Sequence, residues 1–415
     1  MSDVFQVLRE RGYVAQTSDD DAVAQLLAGR TTIYEGFDPT SDSLTIGHLL
    51  SLMAMRHLQQ AGHRILFLLG GFTAIVGDPT GKSETRQFIT PEDVRANGEA
   101  IRRQVQALGL VDFEHPENPA LMLNNFDWLE MSLSDYMLHA ARYFSVNRLL
   151  THETYQDRLA RQEHLSLMEF LYSTLQGYDY LHLYRDHGCR LQIGGNDQWR
   201  NILDGIELIQ HVLGEQAYAL TFELLLDPCG QKMGKTSTGT RVWLEPARTS
   251  PFEYYQYWVN APDQDVERNF KVFTFLPLDE IAAILRGHPR EAQHRLALEA
   301  TRIVHGEQAA RRAQADSRAA FAPEAALPED VPTVTLSDAE LAAGVKLVAA
   351  LGDSGVVKSR GEARRLIQQG GVRLWDERVA DTDRTLTSGD FRQVDGVRAA
   401  LLRAGKGKVL KVVLG

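Results

Sequence analysis

Apolar positions along this chain recur with two periods, and the switches between them mark the elements. Through residues 1 to about 30 the spacing is helical: Val4, Val7 and Leu8, then Val23, Leu26 and Leu27, fall on one face. Thr31 to Phe37 reads as a short strand, Asp38-Pro39-Thr40 breaks it, and Ile46 to Ala61 returns to helical spacing closed by Gly62. Arg64-Ile-Leu-Phe-Leu-Leu-Gly-Gly follows, a continuous apolar run typical of a parallel strand covered on both faces. A strand, helix and strand of these lengths make a right-handed crossover unit. The pattern predicts an α/β fold that opens a doubly wound parallel sheet.

Residues 85 to 165 alternate helical stretches with polar turns and carry little chemical signal. The run after Leu165 is helical and places Tyr172, Gln176 and Asp179 on one face, at i, i+4 and i+7. Arg190 to Gly195 reads as a strand, and Asn196-Asp197-Gln198 caps a helix from Trp199 to about Leu213. Helical spacing resumes from about Glu245 to Phe321, with Phe252, Tyr254, Tyr255, Tyr257 and Trp258 as core. Ala322 to about Pro332 has the Ala, Pro and Glu composition of a linker. Beyond it Ser359-Arg-Gly-Glu362 is a capping box for a helix through Gln369, and Val372 to Trp375 with Arg378-Val379 predicts a hairpin across Asp376-Glu377. The expected division is residues 1–245, 246–321, a linker at 322–344, and 345–415.

Composition narrows the class. With 415 residues, 44% hydrophobic and 24% charged, the chain has the make-up of a soluble protein of two or three domains. No apolar run approaches the roughly 20 residues of a membrane span, and the N-terminus lacks a signal-peptide core, so a cytoplasmic protein without membrane contact is expected. Cys189 and Cys229 are the only cysteines and have no disulfide or zinc-ligand spacing. The net charge of -11 argues against a nucleic-acid partner until it is divided. From Lys346 onward there are 14 Lys and Arg against 8 Asp and Glu, so the basic charge is concentrated at the C-terminus.

Five stretches carry candidate chemistry. The loop between Phe37 and Ile46 delivers backbone N–H groups and a helix start to one point, which suits a phosphate; Gly47 permits close approach and His48 projects nearby. Gly-His at a helix start equally describes an ordinary turn with a surface histidine. Gly77-Asp78-Pro79-Thr80-Gly81-Lys82-Ser83 is not a Walker loop, because position 76 is Val where that motif needs Gly; it also reads as a plain Asp-Pro turn. Tyr172, Gln176 and Asp179 suit directed bonds to a buried polar ligand, or a solvated face. Asp197, just past a strand end, suits a ribose hydroxyl or a helix cap. The fifth, Lys232-Met-Gly-Lys235-Thr236 between Gly230 and Gly239, is by itself an ordinary basic loop.

Taken together, Tyr34-x-Gly-Phe-Asp-Pro-Thr, Ile46-Gly47-His48 and the Lys232 loop resemble the signatures of class I aminoacyl-tRNA synthetases, and specifically the bacterial tyrosyl branch, over nearly the full chain. The resemblance implies a Rossmann-like catalytic domain at 1–245, a helical anticodon-side domain at 246–321, and a small α+β RNA-binding domain at 345–415 with Lys358, Arg360, Arg364 and Arg365 about its first helix. It implies tyrosine activation by ATP, then transfer to tRNA(Tyr). Thr40, His48, Lys232, Lys235 and Thr236 would hold the triphosphate, with Lys82 and Arg86 as weaker candidates. Asp38, Gly47, Gly194, Asp197 and Gln198, with Lys235, would bind ATP. Tyr34, Asp78, Tyr172, Gln176, Asp179 and Gln192 would bind tyrosine. ATP is then a substrate accompanied by Mg2+, no protein metal site or prosthetic group is expected, and relatives pair as homodimers. A same-fold nucleotidyltransferase acting on a small carboxylate or phosphate without tRNA is the alternative, and an RNA-binding protein with a decayed site a further one. Three positions depart from the pattern: Thr45 replaces the first signature His, Arg200 a frequent Gly, and Glu35 a small or neutral residue. A carboxylate beside a triphosphate repels it unless turned away or paired.

Overall fold

A computed structural model describes residues 3–80, 89–224, 241–321, 327–394, 396–405 and 407–415, which group into two units, Met1–Leu244 and Glu245–Gly415. Lys82, Arg86, Cys229, Lys232, Lys235 and Thr236 lie outside the described residues.

The first unit is built on strands β1 (Val14–Thr17), β2 (Thr32–Phe37), β3 (Arg64–Leu69), β4 (Leu121–Asn124), β5 (Cys189–Gly195) and β6 (Tyr218–Phe222), in the order β1-β6-β5-β2-β3-β4. All pair in parallel except β1, which runs antiparallel to β6. Helices α1 (Val4–Glu10) and α2 (Asp20–Ala28) flank β1, α3 (Ile46–Gln60) joins β2 to β3, and α4 (Gly71–Val76) and α5 (Pro91–Leu108) lead to β4. Between β4 and β5 lie α6 (Phe126–Leu129), α7 (Leu133–His139), α8 (Val146–Leu149), α9 (Glu153–Ala160) and α10 (Leu167–His187); α11 (Trp199–Leu213) joins β5 to β6. The opening thirty residues are thus not all helical. Gly12, at φ 79°, ends the first turn of chain, and Val14 to Thr17 then form an edge strand whose side chains the helical count had assigned to no face.

Chain order reverses direction between β2 and β5, and the crevice beyond the carboxyl ends of strands at such a reversal is where open α/β sheets bind ligands. Register decides which side chains face it. Tyr34 pairs with Leu66 and Gln192, and this face is covered by α10 and α11 through Tyr180, Leu181, Leu208 and Ile209. Alternate residues turn the other way, so Glu35 meets Ser51 of α3. The helix bearing Tyr172 starts at a complete capping box, Ser166 with Glu169, and stops at Gly188 in the left-handed region.

The second unit begins with α12 (Pro251–Val259), α13 (Asp263–Phe273), α14 (Leu278–Leu285) and α15 (Pro289–Phe321), the last interrupted at Gly306. A small sheet follows, built from β7 (Thr333–Leu336), β8 (Val372–Leu374), β9 (Glu377–Arg378), β10 (Arg392–Val394), β11 (Val397–Ala404) and β12 (Lys408–Leu414), with α16 (Asp338–Ala343), α17 (Leu347–Asp353) and α18 (Arg360–Gln368). Two expectations shift here. Residues 333–343, read as linker, form β7 and α16, because Thr-Val-Thr-Leu is a β-branched run that pairs in parallel with β12. The hairpin turns one residue early: Leu374 pairs with Glu377, leaving Trp375 and Asp376 in the turn, with Trp375 buried and its Nε1 donating to the Asp390 carbonyl. Phe252 and Ala320 of the helices share an apolar cluster with Leu347, Leu401 and Leu410 of the small domain.

Candidate active site

Beside the reversal, burial and hydrogen bonding define one face of a polar pocket. Tyr34 Oη and Gln192 Oε1 are buried without a hydrogen-bond partner among the described residues, and unpaired buried groups of this kind are expected to be met by a ligand. Asp179 lies in the same region, its Oδ1 accepting from Trp128 Nε1 at 2.7 Å and its Oδ2 from Asn125 Nδ2 at 3.0 Å. Burial pushes the Asp179 carboxyl up to about 7, against the pull of those two bonds.

The other predicted residues join this pocket through two chains of bonds. Tyr172 Oη donates to Asp38 Oδ2 at 2.9 Å, and Thr73 Oγ1 donates to Asp38 Oδ1 at 2.8 Å. Gly70 makes room for that carboxylate, since a Cβ there would sit 2.2 Å from Asp38 Oδ1. In the second chain Asn201 Nδ2 donates to Gln176 Oε1 (3.3 Å) and to Gln198 Oε1 (3.1 Å). Gln198 Nε2 then donates to Asp78 Oδ2 at 2.8 Å, and the Thr80 N–H holds Asp78 Oδ1. Asp197, half-buried, folds back over Gly195, where a Cβ would approach its Oδ1 to 2.5 Å. Gly194, the residue before Gly195, is packed under Gln198 and Ile202, where a Cβ would lie 3.6 Å from Gln198 Cβ.

At the start of α3, Gly47 and His48 are exposed in its first turn, and Thr40 is exposed in the loop before it. Thr45 is the N-cap, and its N–H donates to His48 Nδ1 at 3.0 Å. An Nδ1 that accepts leaves the ring proton on Nε2. Glu35 is turned away from the Tyr34 face: it is 6% exposed, its Oε1 accepts from Ser51 Oγ at 2.6 Å, and burial pushes it up to about 8. A cavity of about 650 Å3 bordered by Thr80, His152, Tyr155, Asp197, Trp199 and Asn201 opens next to this cluster. Among the described residues, no group of three or more His, Cys, Asp or Glu is arranged to hold a metal, and no helix is long and apolar enough to cross a membrane.

Sequence reasoning missed Asn125, Trp128, Thr73 and Asn201. The available signal was position: Thr73 and Asn125 closely follow the carboxyl ends of β3 and β4.

The family model described as tRNA synthetases class I (W and Y) matches residues 27–322. The chain belongs to the class I tRNA synthetases. A second model, the Tyrosine--tRNA ligase SYY-like C-terminal domain, matches residues 324–410. Among relatives of this class I synthetase, the Tyrosine--tRNA ligase of Acetivibrio thermocellus is 42% identical over 94% of this chain and 95% of its own. That of Caldanaerobacter subterraneus is 42% identical over 97% of each, and that of Clostridium botulinum 40% over the whole of both. The crystal structure of a C-terminally truncated mitochondrial tyrosyl-tRNA synthetase from Aspergillus nidulans aligns at a TM-score of 0.69 and 30% identity, covering 77% of this chain and 95% of that one.

Proposed function

We propose that this class I synthetase is a tyrosine–tRNA ligase. A carboxylate oxygen of tyrosine attacks the α-phosphorus of ATP, the bond to pyrophosphate breaks, and a ribose hydroxyl at the 3′ end of tRNA(Tyr) then takes the tyrosyl group as AMP leaves. No protein nucleophile is needed, so positioning and charge stabilisation carry the rate.

The observation that carries this reading is the pair of unsatisfied buried groups, Tyr34 Oη and Gln192 Oε1, beside an Asp179 carboxyl already fixed by two donors. A phenol hydroxyl reaching Tyr34 and Asp179 would end that deficit. Asp78, Tyr172 and Gln176 would meet the amino-acid end. Asp38, Gly47, Gly194, Asp197 and Gln198 would line the adenosine side, with Thr40 and His48 Nε2–H toward the phosphates beside Lys232, Lys235 and Thr236. Magnesium would travel with the ATP phosphates. Leu133, Met137 and Leu138 on α7 and Val146 on α8 are exposed apolar residues, which supports a homodimer through this face. A cytoplasmic location completes the proposal.

Tyrosine-dependent ATP–pyrophosphate exchange on the purified full chain tests it, with phenylalanine as control. Strong rejection of phenylalanine is an established trait of tyrosyl-tRNA synthetases rather than a deduction from this site. Exchange with tyrosine is expected, and its absence, or equal exchange with phenylalanine, would overturn the reading.

A further inference from the structure

Glu35 is a titratable group that the chemistry above does not use. It lies on β2 between Tyr34, on the tyrosine face of the sheet, and the exposed Gly36. Its own side chain leaves through the opposite face, where Oε1 accepts from Ser51 and, among the described residues, Oε2 is buried without a hydrogen-bond partner. Ser51 follows Gly47 by one turn of α3, so the two share a helix face, and Gly47 is exposed at the start of that helix. From the other side the turn between β5 and α11 brings Asp197, whose carboxylate acts on Glu35.

Among the described residues, the remaining neighbours on this face other than Ser51 and His48 are apolar. Ile33 and Phe37 flank Glu35 on its own strand, Phe67 pairs with it on β3, and alternation turns Ile193 of β5 the same way. Helix α3 presents Ser51 and, one turn earlier, His48, whose Nδ1 accepts from the Thr45 N–H. Burial is the main force holding the proton on Glu35; the Ser51 bond opposes it and Asp197 adds to it.

We propose that Glu35 is a charge gate for the nucleotide: with its proton it leaves the cleft between Gly47 and Asp197 open to a polyanionic triphosphate, and without it the added buried charge repels that triphosphate. The inference rests on the functional reading above, which places ATP on this side. Control acts by charge rather than contact, since the free oxygen is buried. It therefore discriminates between ligands by their phosphates.

The test measures ATP and adenosine binding to the full chain by calorimetry from pH 7 to 9, alongside pyrophosphate exchange at pH 7. ATP affinity in the natural sequence is expected to fall about tenfold across that window, a size set by the interaction of buried and ligand charges. Adenosine affinity should stay nearly constant. Glu35→Gln, which keeps the shape and the acceptor for Ser51 but cannot ionise, should hold ATP affinity nearly flat. Ser51→Ala removes a bond that favours the charged form, so it should move the fall in ATP affinity to higher pH, and it decides the matter if Glu35→Gln does not fold. A Glu35→Gln protein that keeps the natural decline, or adenosine declining in step with ATP, would overturn the gate. Exchange at pH 7 with pH-independent ATP binding would overturn the gate alone; no exchange at pH 7 would overturn the functional reading and the gate with it.

Discussion

At the scale of single residues the site depends on carboxyls held near their ionisation point. Asp179 is braced by Asn125 and Trp128, and removing it takes the carboxylate acceptor from both donors. Asp179→Ala is expected to lower kcat/KM for tyrosine by about 10- to 100-fold, the effect of losing a hydrogen bond to a charged group worth ~1.5–3 kcal/mol. Trp128→Phe keeps a ring against His182, which stacks on Trp128 at 4.2 Å, but removes the N–H. It should raise the Asp179 ionisation further and weaken tyrosine binding more than ATP binding, read from separate KM values. Glu35 makes a prediction about stability. Its folded value of about 8 lies above that of an unfolded glutamate, near 4.5, so the native state loses stability as pH rises between the two and none below them. The difference in Tm between Glu35→Gln and the natural sequence should therefore grow in the variant's favour from about pH 5 to 8 and then level off; a difference independent of pH would mean that Glu35 is ionised in the fold.

Elements differ in how plainly the sequence announced them. β2, α3, β3 and α10 were legible because apolar periodicity, Gly62 and the polar face of Tyr172, Gln176 and Asp179 act locally. The strand Val14–Thr17 was not, because its identity comes from pairing with β6, some two hundred residues away. Asn125 and Trp128 escaped for a related reason: their role exists only once α10 brings Asp179 beside the end of β4. At the start of α10, Glu169 both caps the helix and pairs with Arg158 at 3.1 Å, with both side chains almost fully buried. Glu169→Ala removes the carboxylate of this buried ion pair and should cost about 3–5 kcal/mol in urea unfolding; a loss below 1 kcal/mol would show that the pair contributes little to stability. On α7, Leu138→Glu places a charge in the exposed apolar face and should yield monomers in sedimentation velocity if that face joins two copies.

For the whole molecule, the division between chemistry and RNA contact has a measurable form. The described adenylate-site candidates lie in the first unit, while the basic surplus lies after Lys346. A chain stopped after Phe321 should keep pyrophosphate exchange and lose most tRNA charging, with a shallower dependence of tRNA binding on salt because fewer counterions are released. It should also melt earlier than the full chain, because Phe252 and Ala320 lose the cover of the small sheet. Equal tRNA affinities and salt slopes for the two proteins would remove the C-terminal residues from tRNA recognition.

The bond between Tyr172 and Asp38 joins residues 134 apart in sequence, and Gln198 and Asp78 are 120 apart. A growing chain lengthens by roughly 5–20 residues per second, so about 6 to 27 seconds separate synthesis of the two halves of the pocket. Until α10 and then Gln198 have left the ribosome, β2 has no partner across the reversal, and the nascent protein cannot retain an amino acid. The first half must wait with Asp38 solvated, its crossover unit formed and its crevice open on one side. A ribosome pause placed between residues 80 and 165 would prolong that wait.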